Sequence, residues 1–111
     1  MDPQAERRRY TRVPIDVRVT WVSGQGTTVR GAVGRACDIS QGGISVFLPK
    51  TLEVGETSEL QFKLPTWHEP MRVRVVVRTR DSFRYGFEFL SLSAHQRTIL
   101  EQLCQTISAL A

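Results

Sequence analysis

Between Met71 and Arg80, Met71, Val73, Val75 and Val77 alternate with Arg72, Arg74, Arg78 and Arg80. A period of two sends successive side chains to opposite faces, so one face of this segment is written for a core and the other for water. A strand of that kind needs partners for its backbone and a cover for its valines. The rest of the chain supplies both. Ile15, Val17, Val19 and Trp21 alternate with Asp16, Arg18 and Thr20. Residues 29–37 read as a weaker strand, interrupted by Gly31 and Gly34, where a bulge or sharp curvature is expected. Shorter strands follow at Ile44, Val46 and Leu48, at Leu60, Phe62 and Leu64, and at Tyr85, Phe87 and Phe89. Glycine-, proline- and Asp/Ser-rich stretches at 23–27, 41–43, 49–55, 65–70 and 81–82 separate them as turns or loops.

Beyond Phe89 the period lengthens. Ile99, Leu103 and Ile107, joined by Leu100 and Leu110, form one helical stripe, and Ser93 with Gln96 three residues on has the form of a capping box. One amphipathic helix is therefore expected over residues 93–110. Short antiparallel strands followed by a helix predict an all-β domain with one helix, a small closed barrel whose open end the helix covers. The 111 residues, 41% of them apolar, suffice for one such domain with a core of its own. Residues 1–13 form a basic arm, expected to be flexible, and 14–111 the barrel and helix.

Composition narrows the function. Two cysteines, Cys37 and Cys104, are too few for a disulfide framework, and no Cys/His spacing has the form of a zinc site. A reducing, cytoplasmic setting is expected. No stretch is long and apolar enough to span a membrane, and the charged leader lacks the apolar run of a signal peptide. Neither His68 nor His95 belongs to a nucleophile or metal motif, and Cys37 has no neighbour that reads as its base. No enzyme activity, metal or cofactor is expected. The net charge of +4 favours an anionic partner without choosing one.

Two local constellations carry binding chemistry. In the run Arg7-Arg8-Arg9-Tyr10-Thr11-Arg12, Arg8 and Arg12 are four apart, which places both on one side of an extended chain or of a helical turn. Two guanidinium forks can then converge on one anion, and arginine suits phosphate, the guanine edge and the faces of flat rings. Taken alone, the cluster reads first as a solvated basic arm, and next as an arm for nucleic acid. The second constellation is Asp38-Ile39-Ser40-Gln41-Gly42-Gly43, at a strand end entering a tight turn. Asp38 can accept from the N–H groups of a guanine edge, Ser40 can donate or accept, and Gly43 permits a close approach. Taken alone, this segment reads first as a turn that serves only the fold.

Together, in this order and spacing, Arg8-x-x-x-Arg12 and Asp38-x-Ser40-x-x-Gly43 resemble the PilZ family. The strand order, the Tyr85-Gly86-Phe87-Glu88-Phe89 strand and the closing helix extend that resemblance over nearly the whole chain. It implies a six-stranded antiparallel β-barrel and a receptor for the bacterial second messenger cyclic di-GMP, with no other cofactor. By the same resemblance, Arg8 and Arg12 contact phosphates and guanines, Asp38 and Ser40 hold a guanine edge, and Gly43 shapes the turn. Arg7 is linked with an intercalated pair of ligand molecules. Arg78 is a further candidate contact, although an outward-facing strand arginine is its simpler reading. Trp67 reads either as a purine contact or as a cover for one end of the barrel.

The implied mechanism is an arm that ligand orders, changing the surface offered to an unidentified partner protein. Monomer is the default, with ligand-promoted dimerisation as the alternative; no membrane or nucleic-acid partner is expected. A PilZ-fold adaptor without ligand and a small basic barrel for nucleic acid are the competing readings. The second lacks an aromatic stacking platform on its arginine-rich strand.

Overall fold

The computed structural model describes residues 10–25 and 28–110. The alternating segments form β1 (Val13–Gln25), β2 (Thr28–Ile39), β3 (Gly43–Phe47), β4 (Thr57–Phe62), β5 (Met71–Asp81) and β6 (Arg84–Ser91), and the period-3.6 segment forms helix α1 (Ala94–Leu110). All six strand pairings are antiparallel, and they close into a barrel in the order β1-β2-β3-β6-β5-β4. The closing pair is β1 with β4, in the register Val19↔Phe62 to Val22↔Glu59. Closure gives each strand two neighbours, although β3 covers β2 only over residues 35–39, and residues 28–34 pair on the β1 side alone among the described residues.

Period-two alternation fills the interior. Val19, Trp21, Ile39, Leu60, Val75, Val77, Tyr85 and Phe87 are each wholly buried, and Leu100 and Leu103 of α1 join the same cluster. The helix is started by reciprocal capping: Gln96 N–H donates to Ser93 Oγ and Ser93 N–H to Gln96 Oε1, both at 3.0 Å. Gln96 Nε2 also donates to the Arg72 carbonyl of β5 at 3.1 Å, fixing the helix start to the barrel wall.

Several boundaries differ from the sequence reading. Pairing runs to Gln25↔Thr28, so residues 23–25, expected as turn, belong to β1. Val13 opens β1 and is buried, which starts the barrel one residue earlier than expected. Asp81 is the last residue of β5, and Ser82 with a φ of 58° carries the turn into β6. Leu110 is 82% exposed: full burial along the 17-residue helix ends at Cys104, Ile107 is partly buried against the core, and the last residues of the expected stripe extend past it.

Tyr85 ties a connection to the wall. Its hydroxyl donates to the Lys50 carbonyl and accepts from Leu52 N–H at 3.0 Å, so the segment between β3 and β4 is held to β6 from within.

Candidate functional site

The wall at β2, β3 and β6 carries the polar constellation, and a bulge puts it there. Ala36 and Ile39 both face the core. Strict alternation would turn Asp38 inward with Ala36. Instead the β2–β3 register slips between Ala36↔Val46 and Asp38↔Ser45, which leaves Cys37 as the extra residue. The bulge resets the alternation, so Asp38 reaches the outer face and Ile39 still enters the core. A second register shift, between Val77 and Thr79 on β5, sets Thr79 opposite Gly86.

Three arginine–carboxylate and arginine–hydroxyl contacts converge there. Arg12, just ahead of β1, donates from Nη1 to Asp38 Oδ1 at 3.3 Å and to Ser45 Oγ at 3.2 Å. Arg84, at the start of β6, donates from Nη2 to Asp38 Oδ2 at 3.2 Å. Asp38 thus has a guanidinium on each carboxylate oxygen while its side chain keeps 20% of its exposure. Cys37 Sγ lies 3.9 Å from the same carboxylate. Beside this group opens a cleft of about 230 Å³ between Arg12 and Arg84, with Ser45, Thr79, Arg80, Asp81 and Gly86 completing its lining.

The turn below is built by Ser40 and two glycines. Ser40 is buried, and its Oγ accepts from Gly42 N–H at 3.1 Å and from Gly43 N–H at 3.2 Å. The hydroxyl therefore holds the turn closed. At Gly43 a β-carbon would collide with the Phe87 carbonyl oxygen of β6, so the close approach expected of this glycine is to a neighbouring strand. Gly42 faces Tyr10: a β-carbon there would lie 3.0 Å from Tyr10 Cδ2. The aromatic ring of the leading segment rests on the bare face of the turn.

Of the residues singled out in the sequence, Arg12, Asp38, Ser40 and Gly43 come together. Arg7 and Arg8 lie outside the described residues. Arg78 is engaged with Glu88 of β6 in an ion pair and does not line the cleft. Trp67 packs against the core beside His68 and His95, with ring centroids at 4.7 and 5.2 Å, as a cover for that end. Arg84 and Ser45 escaped the sequence reading. Ser45 alternates between Ile44 and Val46 and was legible as an outward residue; Arg84 was not, because only the β3–β6 pairing brings it near Asp38.

Elsewhere, Arg35 donates from Nε to Asp16 Oδ1 at 2.7 Å. That hydrogen bond, with the attraction between the two charges, holds the Asp16 carboxyl below its usual range and the Arg35 guanidinium above its own. Burial pushes the Cys104 thiol up. Among the described residues no three His, Cys, Asp or Glu side chains gather as metal ligands, and no helix is long and apolar enough to cross a membrane.

Known proteins share this architecture. The PilZ domain of YcgR from Escherichia coli, solved with c-di-GMP, superposes with a TM-score of 0.71 at 17% identity, over 94% of this chain and 93% of that one. The Bacillus subtilis inhibitor of motility MotI/DgrA gives a TM-score of 0.72 at 24% identity, over 93% of this chain and 52% of its own. The PilZ domain of CeSA from a cellulose-synthesizing bacterium gives 0.60 at 15% identity, over 90% and 97%. The chain thus spans about half the length of MotI/DgrA. No protein of curated function matches it by sequence. At these identities the structural likeness establishes the fold, a six-stranded antiparallel barrel with one C-terminal helix. The PilZ domain family model matches residues 6–106, nearly the whole chain, and this protein belongs to the PilZ domain family.

Proposed function

We propose that the chain is a cyclic di-GMP receptor whose ligand bridges the leading arginine segment and the β2–β3 turn. The observation that carries this reading is the convergence of Arg12 and Arg84 on Asp38 at an outward-facing bulge. A guanine presents N1–H and N2–H groups that a carboxylate accepts, and its O6 and N7 accept from an arginine fork. The phosphates of the dinucleotide are natural partners for guanidinium groups. One ligand therefore offers something to each member of the group.

Arg8 enters the proposal through the Arg8-x-x-x-Arg12 motif it shares with Arg12. Ligand held by Arg8, Arg12 and Asp38 ties residues 7–12 to the barrel wall and alters the face offered to a partner protein. YcgR, solved with c-di-GMP, supports the choice of ligand. Signalling to a partner belongs to the same proposal, as does a role without catalysis.

Calorimetric titration of the full chain with cyclic di-GMP is the test. Each charge-assisted hydrogen bond contributes about 1.5–3 kcal/mol, so Arg8→Ala, Arg12→Ala and Asp38→Ala should each lose about tenfold or more in affinity. Binding should also weaken as salt rises, since phosphate contacts are screened. Wild-type affinity in all three variants would sink the reading.

A further inference from the structure

Arg84 stands where no motif announced it. Its Nη2 donates to Asp38 Oδ2 at 3.2 Å, and its Cζ lies 5.9 Å from the centre of the Phe47 ring, which steadies the guanidinium against the wall. Arg12 already neutralises Asp38 from the other oxygen. The second guanidinium leaves the trio with a surplus positive charge, facing the cleft between them.

The cleft suits an anion in shape as well as in sign. Thr79 and Gly86 pair across β5 and β6 in its lining, and Gly86 has no side chain to fill it. Arg12, Arg80 and Arg84 outnumber Asp81 among the charges there. Arg80 is committed to the fold, donating to the Ser82 and Leu52 carbonyls at 3.2 and 3.3 Å. Arg84 is half exposed and, among the described residues, is held through Asp38 and the Phe47 face, so it is the member able to change partners.

Building on the receptor reading above, we infer that this cleft is a phosphate subsite for the dinucleotide and that Arg84 determines its affinity. When a guanine edge takes the Asp38 carboxylate, Arg84 turns to a ligand phosphate. The rival role has the opposite sign. Were Arg84 only a plug on Asp38, removing it would free the carboxylate and tighten binding.

Calorimetry with cyclic di-GMP on the full chain separates these cases, using Arg84→Ala and Arg84→Lys beside Arg12→Ala and Asp38→Ala. Thermal melts verify that each variant is folded. Arg84→Ala should bind about ten- to hundredfold more weakly, the range of one charge-assisted hydrogen bond. Its dependence on salt should be shallower than that of the wild type, and Arg84→Lys should recover part of the loss because the charge remains. Affinity equal to or above wild type in Arg84→Ala, with Arg12→Ala and Asp38→Ala still impaired, overturns the subsite and leaves the receptor reading standing. A wild-type chain that takes up no cyclic di-GMP removes both.

Discussion

Replacing Gly43 by alanine tests whether this glycine serves the barrel. The added β-carbon would be driven into the Phe87 carbonyl oxygen, a backbone atom of β6 that cannot rotate aside. Relief requires β3 to back away from β6 at the Gly43↔Glu88 and Ile44↔Phe87 pairs. Overpacking of this kind costs about 1–3 kcal/mol. The retreat also strains the neighbouring bonds from Phe89 N–H to the Gly42 carbonyl (3.0 Å) and from Ser40 N–H to the Gly43 carbonyl (2.8 Å). Losing one of these adds about 0.5–1.5 kcal/mol, for a total of about 1.5–4.5 kcal/mol. Against a domain stability of about 5–15 kcal/mol, that is a large fraction. In urea, with a mid-range slope of about 2 kcal/mol per molar, the unfolding midpoint should fall by about 1–2 M. Gly31→Ala is the internal control. There the nearest atom, the Trp21 carbonyl oxygen, is at 3.6 Å, which is ordinary contact, and the change should stay within about 0.5 kcal/mol of wild type. Equal midpoints for the two variants would refute the steric argument.

Other consequences can be checked on the same protein. Tyr85→Phe removes the hydroxyl between Leu52 N–H and the Lys50 carbonyl and should destabilise by about 1–3 kcal/mol in urea melts; no change would mean that water replaces it. Ser93→Ala deletes the helix cap and should cost about 1 kcal/mol, read from the same melts. A thiol reagent should modify the half-buried Cys37 before the buried Cys104, whose thiol is also held protonated by burial, and cyclic di-GMP should slow only the Cys37 reaction; equal rates would contradict the burial. Asp16 has a lowered pKa in the fold, so its pairing with Arg35 stabilises above the ordinary value of 3.8 and fades as pH falls through the lower folded value. The pair is exposed, so Asp16→Asn should leave the acid-unfolding midpoint almost unmoved; a marked shift would show a stronger coupling.

Much of the barrel was legible because its strands obey a simple rule. Val73, Val75 and Val77, like Val19 and Trp21, are where period two puts them, and Ser93 with Gln96 caps the helix as their spacing suggests. What escaped was long-range or local irregularity. The slip at Cys37 is written in no periodicity, since one added residue looks like ordinary alternation until a partner strand fixes the register. Arg84 joined Asp38 across 46 residues of sequence, through the pairing of β3 with β6. Ser40 was legible as a polar turn residue, yet whether its hydroxyl faces the turn or a ligand depends on backbone geometry. Here it accepts from two backbone N–H groups of the turn. The glycines at 42 and 43 are adjacent and alike in sequence, but one lies under an aromatic ring and the other against a strand.

The filled interior, with Trp21, Tyr85 and Phe87 packed through it, confines the proposed recognition surface to the outside of the wall. Core residues and the proposed ligand contacts Asp38 and Arg84 then share strands but not faces. Drift at Arg12, Asp38 or Arg84 can silence a receptor of this design while its melting curve stays where it was. Conversely, a new specificity can be written on that outer face without repacking a single core side chain.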